Sequence, residues 1–421
     1  MFCSLLNIGG LLKSRSRQRR FWLGVVLAFS LGHGMLFAQY VSGGINANAR
    51  NATQPGQTQR GQIPPQTGTA PGPASITRSA PQPTTVVDTT VAPNDMRGTI
   101  KRLLAANEKR VPNIAECAPG DILVYAFPYG SQAMVYVPPG KGQSGNGQSV
   151  YAVGALCWNF PCRGKTLFRV AGDQVIARVG AGYQSCPGSF LAMLALSEIV
   201  PTYEIKAGNE SRTLANLIET EKQNCVHGQN LAMTLVGLSF YLRPDDRWKN
   251  VLGEDWSLER LVAEELSRRA DQSQVDVTNQ LLGLSAAVQM FKESGNPLSG
   301  PLADAQTQIE TYQRFIFSVQ NSDGTWHPMF FVNKGTSNDA DGVLFATAHI
   351  LRFLVFSLPK EQLSDPHVTK AVNAVATMIS RKPVNVPLSQ LSDEQLEGLT
   401  VGLHALKIYR DRMYGKEATP E

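Results

Sequence analysis

The side chains best suited to chemistry sit in short polar stretches just before long apolar helical patterns. Asn338-Asp339-Ala340-Asp341-Gly342 opens Val343–Leu358, and Asp276 stands before Val277–Lys292. Cys225-Val226-His227-Gly228 leads into Leu231–Leu242, Cys186 precedes Ser189–Val200, and Asp393-Glu394 precedes Gln395–Tyr409. Carboxylates gathered at the mouth of a cavity, or an acid beside a His base, suit hydrolysis or elimination on a glycan. Asp341, Asp339, Asp276 and His227 are the candidate catalytic residues on that ground. Helix capping is the plainer use for the acids. Asp and Ser side chains hold the first free N–H groups of a helix, and Ser392 with Gln395 forms a capping box. His349 and His404 fall inside apolar helices and read as hydrogen-bonded core residues. The chain carries no G-x-S-x-G, no phosphate-binding loop and no H-E-x-x-H. Cys225 and His227 lack an acidic partner at ligand spacing, so neither a metal nor another cofactor is expected.

Five cysteines follow the first forty residues: Cys117, Cys157, Cys162, Cys186 and Cys225. Cys157-Trp-Asn-Phe-Pro-Cys162 could close a small loop as a disulfide, or its thiols could simply be buried.

Residues 1–20 hold Lys13, Arg15, Arg17, Arg19 and Arg20 with no acid, and Phe21–Ala38 is apolar. A basic stretch, a short hydrophobic run and a small residue before polar sequence predict a signal peptide or an N-terminal anchor over 1–38. Its five bases account for the whole formal charge of +5, because the remaining 34 bases face 34 acids. The basic pI is therefore no argument for nucleic acid, and membrane contact is expected only through the N-terminal segment. An exported protein follows, periplasmic or at the cell surface, with residues 21–38 as a possible inner-membrane tether. Residues 39–93 are rich in Pro, Thr and Gln with few large hydrophobes, which predicts a disordered linker.

The elements that must position the candidates begin with a helix over Asn94–Ala105. Short β-type runs follow at Ile122–Phe127, Ala133–Val137, Val150–Cys157, Thr166–Val170 and Gln174–Val179, so 94–187 reads as a helix plus a β-hairpin-rich segment. From Gly188 the pattern is helical to about 415, with a tail over 416–421. Two helix types alternate there. Ser257–Ala270 places Leu258, Leu261, Val262 and Leu266 on one face, whereas Val277–Lys292 is apolar nearly all round. Arg212–Lys222, Ala303–Val319 and Pro366–Ile379 share the first character. Five buried helices recur at intervals of roughly 40–65 residues, which predicts stacked helical hairpins. Helices apolar on both sides need cover on both sides, which favours a closed ring over an open solenoid.

Phe315-Ile316, Gln320, Gly324 and Trp326 resemble the QW repeat of terpenoid cyclases and protein prenyltransferases, although Thr311 and Tyr312 replace the usual start of that repeat. Cys225-Val226-His227-Gly228 and Ala177–Gly188 look like inner-helix entries in uncharacterised exported bacterial proteins with prenyltransferase/squalene-cyclase-type repeats. The resemblance implies a mainly α fold, an α/α toroid of about five helical hairpins over 188–415 with a small β-rich insertion before it. It gives Gln320, Gly324 and Trp326 a structural role as a clasp between hairpins. It also sets the inner helices parallel, with their N-terminal ends at one rim around a central cavity. Asp339-Ala340-Asp341 partly resembles the acid motif of class II terpene cyclases, but Gly342 replaces its last acid, which counts against cyclase chemistry. The expectation is an exported binding or structural module for an unknown ligand or protein partner. A glycan- or lipid-acting enzyme is the alternative.

Overall fold

The computed structural model describes residues 95–139, 147–269 and 274–416. The expected signal or anchor over 1–38 and the linker over 39–93 lie outside the described residues. Helix α1 (Met96–Glu108) starts on Asp95, whose carboxylate accepts the Gly98 N–H at 2.8 Å. The next element corrects the sequence reading. Ile122–Phe127, expected as a strand, lies within helix α2 (Pro119–Tyr129). An apolar run has no alternation to separate strand from buried helix, and here the caps decide. Pro119 opens the first turn, and the Asp121 carboxylate accepts the Ala118 N–H at 2.7 Å.

Strands β1 (Met134–Val137) and β2 (Gln148–Tyr151) pair antiparallel, and the rest of the expected Val150–Cys157 strand is helix α3 (Ala152–Cys157). A second hairpin joins β3 (Phe168–Ala171) to β4 (Gln174–Ala177). Helix α4 (Ser189–Leu196) is followed by a third hairpin, β5 (Glu204–Ala207) with β6 (Glu210–Thr213), and then by α5 (Leu214–Gln223) and α6 (Ala232–Tyr241). A fourth pairs β7 (Arg247–Lys249) with β8 (Asp255–Ser257) ahead of α7 (Leu258–Ser267). The last two hairpins interrupt a stretch expected to be helical throughout. Strands of three or four residues are too short to leave a period-two signal. The chain ends in helices α8 (Gln274–Glu293), α9 (Pro301–Ser318), α10 (Ala340–Ser357), α11 (Pro366–Ser380) and α12 (Asp393–Tyr414).

The described chain is mainly helical, and its helices differ in burial as their sequences do. Every residue of α4 is buried, as are the first eight of α6 and nearly all of α10 from Ala346 to Phe356. By contrast α7 buries Leu258, Leu261, Val262 and Glu265, and α9 buries Leu302, Ala305, Ile309 and Ile316, a single stripe in each. The α10 helix is long and apolar enough to cross a membrane, yet 72% of it is buried inside the protein, as befits a core helix.

Packing follows the alternation. Helix α4 lies against α2 and α6, α8 against α6 and α10, and α12 against α10 and α2. The intervening α5, α7, α9 and α11 each pack on the helices before and after them in sequence. Small residues permit the close approaches: a Cβ on Gly283 of α8 would stand 2.5 Å from the Ala232 carbonyl of α6. First turns meet first turns. Asn230, just before α6, donates to Asp276 of α8 at 2.8 Å, and Gln395 of α12 donates to Asp341 of α10 at 2.8 Å. These neighbours therefore run parallel, with their N-terminal ends together.

Candidate functional site

The candidate acids are engaged where the first turns of the buried helices meet. Asp339 is the N-cap of α10 and accepts the Gly342 N–H at 3.0 Å. Asp341 takes the Lys382 ammonium, which follows α11, on one oxygen and the Gln395 amide on the other. Partial burial pulls its carboxyl upward, but the lysine and glutamine outweigh that and hold it below the usual range. Asp276 accepts Arg268 at 2.8 Å and Asn230 at 2.8 Å, so α7, α8 and the start of α6 are tied together. Arg268 also grips the fully buried Glu265, whose carboxylate accepts the Leu231 N–H at 2.6 Å. His227 meets Glu264 of α7 at 2.6 Å with its side chain 74% exposed. Thus Asp341, Asp276 and His227 each join separate segments, and Asp339 serves its own helix.

The Gln320–Trp326 turn joins three helices. Gln320 Nε2 donates to the Gly324 carbonyl at 3.1 Å and to the His367 carbonyl of α11 at 2.9 Å. Trp326 is fully buried; its indole donates to Ile316 of α9 at 2.8 Å and its backbone N–H to Thr347 of α10 at 3.2 Å. Gly324 has φ +88°, and a Cβ there would stand 2.5 Å from the Lys370 backbone.

The Cys157–Cys162 disulfide is corrected: both are free, buried thiols. Asn159, at φ +53°, turns the chain between them and binds both polar groups of the Phe168 backbone. Cys157 lies toward Tyr203 and Tyr241, whereas Cys162 lies toward Cys117. Burial pushes the Cys162 thiol up to about 12 and the Cys157 thiol higher still. Among the described residues, no three His, Cys, Asp or Glu side chains stand close enough to hold a metal ion.

A second polar constellation escaped the sequence reading. Arg352 of α10 donates to Asn279 of α8 at 2.9 Å and lies 3.3 Å from Nδ1 of His349, one turn earlier on its own helix. His349 Nε2 stands 2.9 Å from a carboxylate oxygen of Glu397 on α12. At the other end, the Asn279 amide lies 3.9 Å from the Cys186 sulfur, just before α4. Burial keeps the thiol neutral by pushing it up to about 11, and pulls the Arg352 guanidinium down to about 10. Five polar side chains thus connect α4, α8, α10 and α12 through a region where Arg352, Glu397 and Asn279 are fully buried. Such charges are costly unless paired, and Arg352 and Glu397 offset one another. Their signal is a charge inside an apolar pattern: Arg352 within AHILRFLVF and Glu397 within QLEGLTVGL.

A surface cleft of about 320 Å³ lies elsewhere, lined by residues 109–113, Glu116, Cys117 and 384–389. Arg110 donates across it to the Val386 carbonyl at 2.7 Å, and Ser389 to Glu116 at 2.9 Å. In comparisons with known proteins, no family model, no curated protein and no solved structure matches the chain.

Proposed function

We propose that this chain is an exported α/α-toroid protein that works as a binding or structural module. Two features support the toroid: the unbroken succession of neighbours α2, α4, α6, α8, α10, α12 and back to α2, and the parallel course of α6 with α8 and of α10 with α12. On this reading α2 supplies a sixth inner helix beyond the five expected, and the QW-like turn clasps successive hairpins. The observation that carries the module reading is the engagement of the candidate acids. A general acid or base needs a proton free to move toward substrate. Asp341 instead holds Lys382 and Gln395, and Asp276 holds Arg268 and Asn230. These contacts rigidify a scaffold.

The second reading, an enzyme acting on a glycan or lipid, draws on the buried Arg352–His349–Glu397 arrangement, since such charges often mark functional sites. The two separate on Asp341→Asn. The module reading expects a lower unfolding temperature and no catalytic change. Turnover of any polysaccharide or lipid by the purified protein that disappears in Asp341→Asn would overturn it.

A further inference from the structure

The surface cleft at the end of α1 is lined by a buried charge with no counter-charge. Arg110, 8% exposed, and Arg352, 0% exposed, are the two buried arginines among the described residues. Glu397 offsets Arg352, but Arg110 forms no ion pair among the described residues. Its Nη1 donates to the Asn107 side chain at 3.3 Å and its Nη2 to the Val386 carbonyl at 2.7 Å. Both acceptors are neutral, and Nε meets no acceptor among the described residues. Burial pulls the guanidinium's pKa down, and the influence opposing it is the Tyr129 phenol rather than a carboxylate. A cation suits the C-terminal end of a helix, which offsets part of the charge. The α1 carbonyls of Leu104 and Glu108, however, already accept the Tyr129 and Tyr125 hydroxyls. Glu116, the acid in the lining, engages Asn113 with one oxygen and Ser389 with the other. Exposed Lys109 adds a second cation to the lining, and Val111, Pro112, Val384 and Pro387 supply apolar wall.

A buried charge is costly unless an opposite charge meets it. We infer that this cleft binds a carboxylate carried on a short apolar stem, with the carboxylate on Arg110 and the stem against Val111 and Pro387. Arginine offers a carboxylate parallel N–H groups in matching geometry. A volume of about 320 Å³ stands at the small end of ligand sites, so a stem of a few carbons fits and a polymer does not. Inorganic phosphate fits less well, because it leaves the apolar wall uncovered. The cleft is separate from the candidate acids at the helix starts, so the inference does not depend on the toroid reading.

The purified full-length protein is titrated calorimetrically with sodium hexanoate, with hexanamide as its neutral counterpart, and with sodium phosphate. Hexanoate should bind, and hexanamide should bind at least about tenfold more weakly. Arg110→Gln should weaken hexanoate by a similar factor, with thermal unfolding as the check on its fold. Val111→Asp places a like charge on the exposed wall and should weaken hexanoate too, so it decides the matter if Arg110→Gln fails to fold. The tripeptide Gly-Gly-Leu presents the same chemistry at a peptide end. Whichever of it and hexanoate binds more tightly assigns the source as a peptide terminus or a free acid. Absence of binding by both up to about 10 mM overturns the inference. Equal binding of hexanamide, or phosphate binding as tightly as hexanoate, overturns it as well. So does hexanoate binding that survives Val111→Asp unchanged.

Discussion

His349 Nε2 and Glu397 Oε1 stand 2.9 Å apart, and neither residue is more than 1% exposed. Because Arg352 approaches the other ring nitrogen at 3.3 Å, that nitrogen must offer a lone pair, and the imidazole is neutral. Burial and the guanidinium both pull its pKa well below the usual histidine value. The carboxylate charge is thus answered by Arg352 through the ring. Glu397→Ala leaves an uncompensated buried cation and should cost about 3–5 kcal/mol, while Glu397→Gln keeps the shape and should cost less. Urea unfolding of both variants measures this. A loss under about 1 kcal/mol in Glu397→Ala would mean that Arg352 does not depend on the carboxylate.

His404 sets an acid limit to stability. Burial, then Arg352 and Lys407, pull its pKa well below the usual value, and both ring nitrogens lack a hydrogen bond among the described residues. The unfolded imidazole takes a proton near pH 6.5 and the folded one does not. Stability is therefore full above that pH and is lost as pH falls, by up to about 1.4 kcal/mol per pH unit for each such histidine. His349 is held low by burial in the same way, so the His404→Phe variant should flatten the acid limb without abolishing it. Thermal unfolding between pH 7 and 5 is the check, and an unchanged slope in the variant would refute the assignment.

Glu221 should act in the opposite direction. It is buried against Thr234 of α6, whose hydroxyl donates to it at 3.1 Å, and burial pushes its pKa up to about 7. Its folded value exceeds the unfolded one, so stability is highest below the unfolded pKa and declines as pH rises toward 7. The shift corresponds to a penalty on the order of 3 kcal/mol at neutral pH. The Glu221→Gln variant should remove this decline and unfold at a higher temperature at pH 8, yet show little change at pH 4.5. A lower unfolding temperature at pH 8 would contradict it.

These groups show which features the sequence exposed. Long apolar helices were readable because each repeats its period over many turns. The α10 and α12 patterns appear over Val343–Leu358 and Gln395–Tyr409, and the hairpin partners by their single stripes. Helix α2 was not readable: ILVYAF suits strand and buried helix equally, and Asp121 bonding back to Ala118 decides it. The acids were visible as N-terminal residues, but Lys382 and Arg268, which engage Asp341 and Asp276, lie just beyond the C-terminal ends of α11 and α7 and carry no local signal. Arg352 and Glu397 each stand out locally as a charge in an apolar pattern, but their pairing with each other and with Asn279 joins positions far apart in sequence that share no motif.

The Gln320–Trp326 turn gives the sharpest test of how the helices are joined. Gly324 lies at φ +88°, in the left-handed region that disfavours a side chain, and its missing Cβ makes room for the Lys370 backbone of α11. Gly324→Ala therefore meets strain and collision together and should cost more than about 2 kcal/mol. Gln320→Ala removes the amide from the Gly324 and His367 carbonyls and should cost about 1–2 kcal/mol. Trp326→Phe keeps most of the apolar contact but orphans the Ile316 carbonyl, so its loss should fall between those two. Chemical denaturation of the three variants ranks them. If Gly324→Ala unfolds at the parent's midpoint, close packing of this turn on α11 is wrong.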